Sequence, residues 1–300
     1  MASHRIGIDF GGSKIEIAVL AADSSIRLRR RVPTPATYAE AIAAVATLVE
    51  QAEREAGTGV LPVGIGLPGR IEPATGHVIS ANCLSGQPFQ RHVEAALGRA
   101  VRLANDADCF ALSEATDGAG QGARCVFGAV LGTGCGGGVV IDGRLLEGCN
   151  GVSAEWGHNP FAFEDPEELP GRLCWCGRRG CNETVLAGPA LARLCDGPDA
   201  HDATGIARRA ARGDPRAQAA LEHHAARLAR ALGQIVNLID PEVIVLGGGL
   251  SNMEHLYAQL PLLIAPYVFG GRSATRILRN RHGDSSGVRG AAWLWGSAEP

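Results

Sequence analysis

A short segment near the start of the chain combines several groups that could bind a phosphorylated ligand. Asp9, Gly11, Gly12, Ser13 and Lys14 supply a carboxylate, two glycines, a hydroxyl and an ammonium group within six residues. Backbone N–H groups exposed by glycines can bind phosphate oxygens, and a neighbouring carboxylate can hold Mg²⁺ through water. The same motif is also typical of a tight hairpin whose polar residues face solvent. Taken alone, the segment leaves both interpretations open.

A second glycine turn of this kind lies near the middle of the chain. Gly132, Thr133 and Gly134 interrupt the apolar segment V-F-G-A-V-L-G-T-G-C-G-G-G-V-V-I. Two strands joined by a glycine turn therefore occur twice along the chain. The repetition weakens the solvent-facing interpretation and favours two lobes of related design, each with a turn that approaches phosphate.

Asn105 and Asp106 follow the apolar segment V-R-L-A and precede a predicted helix through residues 107–115. An aspartate at the start of a helix can serve only as its N-cap. It can also act as a general base, which is the recurrent role of aspartate in phosphoryl transfer to a hydroxyl. In that case Asn105 would orient the acceptor.

Three cysteines and a histidine have the spacing of a metal site. Cys174, Cys176 and Cys181 form a C-x-C-x4-C pattern, and His158 precedes them. A Cys₃His set suits a closed, tetrahedral, structural Zn²⁺ site, whereas buried free cysteines are the alternative.

Polar residues beside these ligands could bind a sugar. If one ring nitrogen of His158 binds zinc, the other can hydrogen-bond a sugar hydroxyl. Glu155 and Glu183 could accept further hydroxyls, although glutamates so placed could equally be plain surface residues.

The bulk properties exclude several classes of protein. The 300 residues carry a net charge of -3, without the basic cluster that nucleic-acid binding requires. Because the chain has neither a stretch of ~18 apolar residues nor a signal-peptide pattern, we expect a cytoplasmic protein with no membrane partner. We expect the arginine-rich run 27–31 to face solvent, His223 and His224 to be surface groups, and the other six cysteines to be small buried residues.

The remaining pattern predicts an α/β protein. Thr37 and Glu40 have the spacing of a capping box, a long helix is predicted from Pro215, and the apolar strand V-I-V-L ends at Gly247. Alternating helices and continuous apolar runs predict a largely parallel sheet.

Six motifs together resemble the ROK family of sugar kinases and repressors over almost the whole chain. In order they are I-G-I-D-F-G-G-S-K, L-A-N-D-A, G-T-G-C-G-G-G, E-W-G-H-N-P, C-W-C-G-R-R-G-C-N-E and V-I-V-L-G-G-G-L-S-N. The resemblance implies a two-lobed actin/hexokinase-like (ribonuclease H-like) ATPase fold with a ligand cleft between the lobes. A smaller lobe is expected over residues 1–118 together with about 286–300, and a larger lobe over residues 119–285.

The resemblance also implies roles for individual residues. Asp106 matches the catalytic base, and the nucleotide and sugar are the expected small-molecule partners. The expected ligands and contacts are ATP with Mg²⁺ at Asp9, Gly11, Gly12, Ser13, Lys14, Gly132, Thr133, Gly134, Gly247, Gly248 and Gly249; a sugar at Asn82, Asn105, Glu155, His158 and Glu183; and one structural Zn²⁺ at His158, Cys174, Cys176 and Cys181.

Within the family the chain looks most like the bacterial fructokinases, through G-Q-P-F, E-W-G-H-N-P and the closing H-G-D-S-S-G-V-R-G-A-A-W-L-W. The expected reaction is phosphorylation of fructose, and also of mannose, at the 6-hydroxyl. Glucose and N-acetylglucosamine are the alternative acceptors, and the loop at residues 81–86 is about two residues shorter than in fructokinases. A homodimer is the family habit.

Two other classes of protein compete with a kinase. Repressors of the family carry an N-terminal helix-turn-helix, and no basic recognition helix is found in this sequence. A sugar-binding module without catalysis would not require Asp9, Asp106 and two glycine turns.

Overall fold

The computed structural model describes residues 4–80 and 82–296. Backbone contacts divide the chain into two units. The first comprises Met1–Gly122, Gly138–Ser153 and Arg281–Pro300, and the second comprises Ala123–Gly137 and Ala154–Asn280. Ala81, which the sequence analysis placed in the sugar-facing loop, lies outside the described residues.

Strands and helices alternate along most of the chain. The strands are β1 (Arg5–Phe10), β2 (Lys14–Leu20), β3 (Ile26–Pro33), β4 (Val63–Leu67), β5 (Arg70–Ile71), β6 (Val78–Ile79), β7 (Val101–Asn105), β8 (Cys125–Leu131), β9 (Cys135–Ile141), β10 (Arg144–Leu145), β11 (Val243–Gly247) and β12 (Arg276–Arg279). The helices are α1 (Tyr38–Ala56), α2 (Phe89–Leu97), α3 (Asp106–Thr116), α4 (Glu183–Leu186), α5 (Gly188–Asp196), α6 (Ile206–Ala211), α7 (Pro215–Ile239), α8 (His255–Leu263) and α9 (Ser286–Trp293).

The first sheet has the strand order β3-β2-β1-β4-β7. Strand β1 pairs with β2 in antiparallel register, with Phe10 opposite Ile15, and with β4 in parallel register. The short connection between β1 and β2 dictates antiparallel pairing, since a parallel crossover needs a dozen or more residues. The glycine hairpin predicted at the start of the chain is confirmed.

The second sheet has the strand order β10-β9-β8-β11-β12. Strand β11 is parallel to both β8 and β12, whereas β9 and β10 are antiparallel. Both sheets are therefore mixed, and the expected largely parallel sheet is corrected. The antiparallel pairs follow from short hairpin connections, including the glycine-turn hairpin at the start of the chain, which are too short for a parallel crossover.

The predicted helix signals are confirmed where caps are explicit. Thr37 and Glu40 form a complete capping box at the start of α1, which ends at Gly57 in a left-handed conformation. The long helix α7 begins as predicted at Pro215, where the side chain of Asp214 caps it. Among the described residues, no helix is both long and apolar enough to cross a membrane.

The C-terminal helix α9 packs unusually close to the first sheet and to α3. A Cβ atom on Gly7 would lie 1.9 Å from the Val288 carbonyl oxygen, and one on Gly290 would lie 1.6 Å from the Cys109 carbonyl oxygen. The opposite side chains of β1, among them Ile6 and Ile8, are fully buried in the main apolar core. Glycines therefore set how closely α9 approaches the strand that carries Asp9.

Among the six cysteines outside the C-x-C-x4-C pattern, Cys149 is a correction. It was expected to be buried, but it is exposed in a loop after β10. Cys83 and Cys125 are partly buried, and the other three are buried.

We predict that Gly290→Ala destabilises the protein by about 3 kcal/mol or more, because the added methyl group overlaps a backbone carbonyl that cannot rotate away. Gly12→Ala is the matched control, since a Cβ there meets no atom of the described residues within 4 Å. Denaturant unfolding of the ligand-free variants measures both effects. Equal stability of the two variants would contradict the described packing of α9.

Candidate active site

The turn between β1 and β2 is fixed at its base and exposed at its tip. The Gly11 N–H donates a hydrogen bond to the Lys14 carbonyl oxygen at 2.9 Å, and the Thr34 hydroxyl donates to the Gly11 carbonyl oxygen at 2.7 Å. Gly12, Ser13 and Lys14 are exposed. The turn is thus held in one shape while its outer groups remain accessible to a ligand.

Three glycines on the predicted phosphate turns have no packing reason to be glycine. A Cβ on Gly12 or Gly249 would meet no atom of the described residues within 4 Å, and one on Gly132 would meet only the Gly249 nitrogen, at 4.0 Å. Their φ angles are not left-handed, so the backbone does not require glycine either. Close approach of a ligand is the remaining physical reason for glycine at these positions.

Asp9 lies on β1 in a strongly shielded position. Burial raises the pKa of its carboxyl to about 6, and the negative charges of Asp106 and Glu16 add to this effect, against the opposing charges of Lys14 and Arg31. A Cβ on Gly287 of α9 would lie 3.2 Å from the Asp9 Oδ2 atom, so this glycine leaves room for the carboxylate. The neighbouring carboxylates of Asp9 and Asp106 are suited to a divalent cation.

The arginine-rich run is not simply a solvated face. Glu16, only 1% exposed and opposite Asp9 in the hairpin, accepts hydrogen bonds from the Nε atoms of Arg29 and Arg31 at 2.5 Å each. Arg31 also pairs with Asp284 at 2.6 Å. Arg27, Arg29 and Arg31 are exposed, as expected for this run, and two of its four arginines also compensate a buried carboxylate beneath the turn.

Asn105, and not Asp106, is the N-cap of α3. The Asn105 Oδ1 atom accepts a hydrogen bond from the Ala107 N–H at 2.8 Å, and its Nδ2 donates to the Gly69 carbonyl oxygen at 2.7 Å. Asp106 is the first residue of the helix, and its Oδ1 accepts from the same N–H at 2.8 Å. Because Asn105 caps the helix, capping does not explain the aspartate at position 106. The general-base interpretation of Asp106 therefore stays a prediction.

Asn82 also lies in the first unit. Its Oδ1 accepts a hydrogen bond from the Leu84 N–H at 3.0 Å. Its Nδ2 atom is buried and has no hydrogen-bond partner within residues 4–80 and 82–296. A buried amide donor of this kind is costly unless a ligand or water accepts from it.

In the second unit two glycine turns come together. The Gly132 N–H donates to the Gly134 carbonyl oxygen at 3.0 Å, and the Gly188 N–H donates to the Gly132 carbonyl oxygen at 2.8 Å. Gly248 has a φ of +74°, and a Cβ there would lie 2.4 Å from the Leu131 carbonyl oxygen. The structure thus places residues 132–134 beside residues 247–249, which lie more than 110 positions later in the sequence.

Glu183, the first residue of α4, is held by two N–H donors and has a longer contact with the Cys174 Sγ at 3.9 Å. Its Oε2 accepts from the Cys135 backbone N–H at 3.0 Å, and its Oε1 accepts from the indole N–H of Trp175 at 2.7 Å. A Cβ on Gly134 would lie 2.8 Å from that same Oε2 atom. Glu183 is therefore not a plain surface residue, because it joins the Gly132–Gly134 turn to the cysteine-containing loop.

Glu155 precedes, and His158 ends, a short 3₁₀ turn that is packed onto the start of β9. Between them, Trp156 is buried and donates from its indole nitrogen to the Gly136 carbonyl oxygen at 2.7 Å. A Cβ on Gly157 would lie 1.8 Å from the Cys135 carbonyl oxygen. These contacts fix the backbone of the turn, and therefore the positions of the Glu155 and His158 Cα atoms.

His158, Cys174, Cys176 and Cys181 come together as predicted. Their ligand atoms all lie within 4.8 Å of one another, with the His158 Nδ1 3.5 Å from the Cys174 Sγ and the Cys176 Sγ 3.6 Å from the Cys181 Sγ. Tetrahedral zinc ligands at their usual bond lengths are about 3.3–3.8 Å apart. Burial opposes ionisation of Cys176, but hydrogen bonds from Arg178 outweigh it and lower the pKa of the thiol to about 6. The four side chains can hold one zinc ion.

His224 was missed by the sequence analysis, which expected it on the surface. It is fully buried on α7, and its Nε2–H donates to the carbonyl oxygen of Leu186, the last residue of α4, at 2.8 Å. Burial lowers the pKa of His224 to about 4. The residue supports the short helix that begins at Glu183, and only its position on the apolar stripe of α7 could have indicated this.

Trp175 was also missed. Its indole ring lies edge-to-face against His158, with centroids 4.9 Å apart, in addition to its hydrogen bond with Glu183. Its position between two metal-ligand cysteines was the available signal.

Comparison with known proteins gives a consistent family. A sequence profile of the ROK family matches residues 5–298. An N-acetyl-D-glucosamine kinase from Erwinia tasmaniensis is 40% identical over 297 residues, which cover 96% of this chain and 98% of the relative. A ROK hexokinase from Thermus thermophilus is 34% identical with a TM-score of 0.87, over 97% of each chain. A ROK glucokinase from Streptomyces griseus, solved with glucose and AMPPNP, is 31% identical with a TM-score of 0.79, over 97% of this chain and 99% of that one.

These likenesses define an α/β protein of the actin/hexokinase-like fold class. The chain belongs to the ROK family, as one of its sugar kinases. The predicted family and fold class are confirmed. The narrower likeness to fructokinases is not supported, because the relatives that name a particular sugar are an N-acetyl-D-glucosamine kinase and a glucokinase.

We predict that His224 makes the protein less stable in mild acid. The pKa is lower in the folded than in the unfolded state, so the unfolded state binds the proton more tightly. The contribution of neutral His224 to the free energy of unfolding is complete above pH ~6.5. It decreases by about 3 kcal/mol as the pH falls towards about 4.

His224→Gln retains an amide donor for the Leu186 carbonyl and should flatten this part of the dependence of the free energy of unfolding on pH. His223→Gln, at the neighbouring exposed position, is the control and should flatten it less. Denaturant unfolding from pH 7 to pH 4.5 measures the effect. An unchanged slope in His224→Gln would contradict the assignment.

Proposed function

We propose that the protein is an ATP-dependent N-acetylglucosamine kinase that phosphorylates the sugar 6-hydroxyl. The observation that carries the proposal of phosphoryl transfer is the set of three glycines, Gly12, Gly132 and Gly249, which neither packing nor backbone conformation explains. The 40% identity to an N-acetyl-D-glucosamine kinase over nearly the full length of both chains supports the choice of sugar. This proposal replaces fructose, the first choice of the sequence analysis, by one of its alternatives.

In the proposed reaction Asp106 is the general base. It takes the proton of the 6-hydroxyl as that oxygen forms a bond to the γ-phosphorus of ATP, while the bond between this phosphorus and the β–γ bridging oxygen breaks and ADP leaves. Asn105 fixes the start of α3 through its cap, so it positions Asp106. Its one remaining amide hydrogen and the Nδ2 of Asn82 are the donors we assign to sugar hydroxyls.

Phosphate groups are assigned to the turns Gly11–Lys14 and Gly132–Gly134, and the nucleotide to Gly247–Gly249. Their backbone N–H groups bind oxygens, and the ammonium group of Lys14 adds positive charge. Asp9 would hold Mg²⁺, which when bound neutralises phosphate charge, and the raised pKa of this carboxyl fits a site that is completed by a cation.

The sugar is assigned to Glu155, His158 and Glu183. A zinc ion held by His158 and the three cysteines would fix the orientation of the His158 ring, leaving Nε2 to bond a hydroxyl. We assign this ion a structural role, because four protein ligands leave no open position for substrate.

Glucose is the second candidate acceptor, because a relative of this fold was solved with glucose. The two sugars differ only at carbon 2, where an acetamido group replaces a hydroxyl. A cytoplasmic location and a homodimer stay predictions.

A coupled ADP-release assay tests the proposal. With MgATP we expect the highest kcat/KM for N-acetylglucosamine, when glucose, mannose and fructose are compared with it. Asp106→Asn should lower kcat by a factor of about 10² or more, because the amide cannot take the proton, with sugar binding largely retained. Near-normal turnover in this variant would refute the base, and a preference for fructose would restore the first choice.

Metal loss is the second test. Cys176→Ser should release zinc, lower the thermal midpoint and raise the KM for the sugar together, since the ion closes the loop that carries Trp175 and neighbours Glu183. Cys149→Ser, at the exposed cysteine, is the matched control and should retain the metal. Elemental analysis of the purified proteins measures the zinc content. A wild-type protein without bound metal would overturn the zinc assignment.

A further inference from the structure

The side chain of Trp175 is exposed to an unusual degree for a tryptophan at a structured position. It is 79% exposed, although it lies between Cys174 and Cys176 in the middle of the metal-ligand loop. Trp156 and Trp293, by contrast, are buried. An indole ring that is fixed on one side and open on the other has the properties of a contact surface for a ligand.

Two contacts fix the ring. Its N–H donates to the Oε1 atom of Glu183 at 2.7 Å, and its plane stands at 81° to the ring of His158. Glu183 and His158 are two of the residues assigned to the sugar. Trp175 therefore contacts both residues and, unlike the buried Cys174, also has a large exposed apolar face.

The second oxygen of Glu183 shows why this contact matters. The Oε2 atom is held by the Cys135 backbone N–H at 3.0 Å, whereas the Oε1 atom has a long contact from the Cys174 Sγ at 3.9 Å and its one short hydrogen bond from the indole N–H. Without it the carboxylate could rotate about its bond to the Cys135 N–H. A sugar hydroxyl would then meet an acceptor whose direction is not fixed.

We propose that Trp175 is a positioning and specificity-determining residue of the sugar site, whose N–H orients Glu183 and whose exposed ring face packs against the apolar face of the bound hexose. This inference rests on the proposed function, since it assigns the sugar to the same group of residues. It adds a residue whose two roles can be separated. The N–H acts through Glu183, and the ring acts by direct contact.

Two variants separate these roles. Trp175→Phe keeps an aromatic ring and removes the N–H, and Trp175→Leu removes both. We expect the KM for N-acetylglucosamine to rise at least about tenfold in Trp175→Phe and further in Trp175→Leu, with the KM for ATP within about twofold of wild type. Phe269→Leu, which changes another strongly exposed aromatic residue of the same unit, is the control and should leave both constants unchanged.

Two further readouts exclude a merely structural role. The zinc content of Trp175→Phe should equal that of wild type. Addition of N-acetylglucosamine without nucleotide should change the tryptophan fluorescence of wild type and of Phe269→Leu, and this change should be absent in Trp175→Phe.

A wild-type KM for the sugar in Trp175→Phe, or a raised KM accompanied by loss of metal, would overturn the proposal. Wild-type turnover of N-acetylglucosamine in the same assay would show that the proposed function stands even then. Absence of wild-type turnover with every hexose would instead count against the proposed function.

Discussion

The carboxylate of Glu183 connects the parts of the second unit that matter for function. One oxygen is held by the backbone N–H of Cys135, at the end of the Gly132–Gly134 turn, and the other by the indole of Trp175 in the cysteine-containing loop. Hydrogen bonds to a charged acceptor are stronger than those between neutral groups, so this one side chain restrains two segments that are distant in sequence. Behind it, His224 holds the last carbonyl of α4.

In the first unit, the shielded carboxylates of Glu16 and Asp9 lie in different electrostatic environments. Glu16 is almost completely buried beneath the turn, and it is tolerated there because two arginines donate to its two oxygens. Asp9 lies opposite Glu16 in the hairpin, and burial raises the pKa of its carboxyl. The charge of Glu16 is thus compensated by two arginines, whereas burial disfavours the ionised form of Asp9, which a bound cation would stabilise.

Glycine has two physical roles in this chain, and they separate structure from function. At Gly7 and Gly290 glycine permits the close approach of α9, because any side chain would overlap a backbone carbonyl. At Gly12 and Gly249 it removes a side chain that the protein itself has room for. Packing explains the first pair, whereas the second pair supports the proposed approach of a ligand.

The sequence predicted much of this arrangement, for reasons that differ from residue to residue. Ligand spacing identified the four-residue metal cluster, because C-x-C-x4-C with glycines between the cysteines limits the loop to a chelating bend. Glycine turns and cap residues identified the hairpin at Gly11 and the helix starting after Thr37, since both depend on local backbone chemistry. The parts that depend on tertiary contacts could not be predicted.

Three residues illustrate that limit. Arg29 and Arg31 look like a solvated run, because the burial of Glu16 is decided by the packing of the whole sheet. His224 looks like a surface histidine, because nothing nearby in sequence indicates that the carbonyl of Leu186 lies against it. The choice of sugar depends on loop geometry at the level of single hydroxyls, which motifs shared by a whole family do not specify.

Identification of the reaction product is the most direct test of the central claim. Wild-type protein, MgATP and N-acetylglucosamine would be incubated together, and the product analysed by NMR correlation between phosphorus and the sugar protons. We predict one sugar phosphate per ADP formed, with phosphorus coupled to the protons on carbon 6. Phosphorus on another carbon, or ADP and free phosphate without any sugar phosphate, would contradict it.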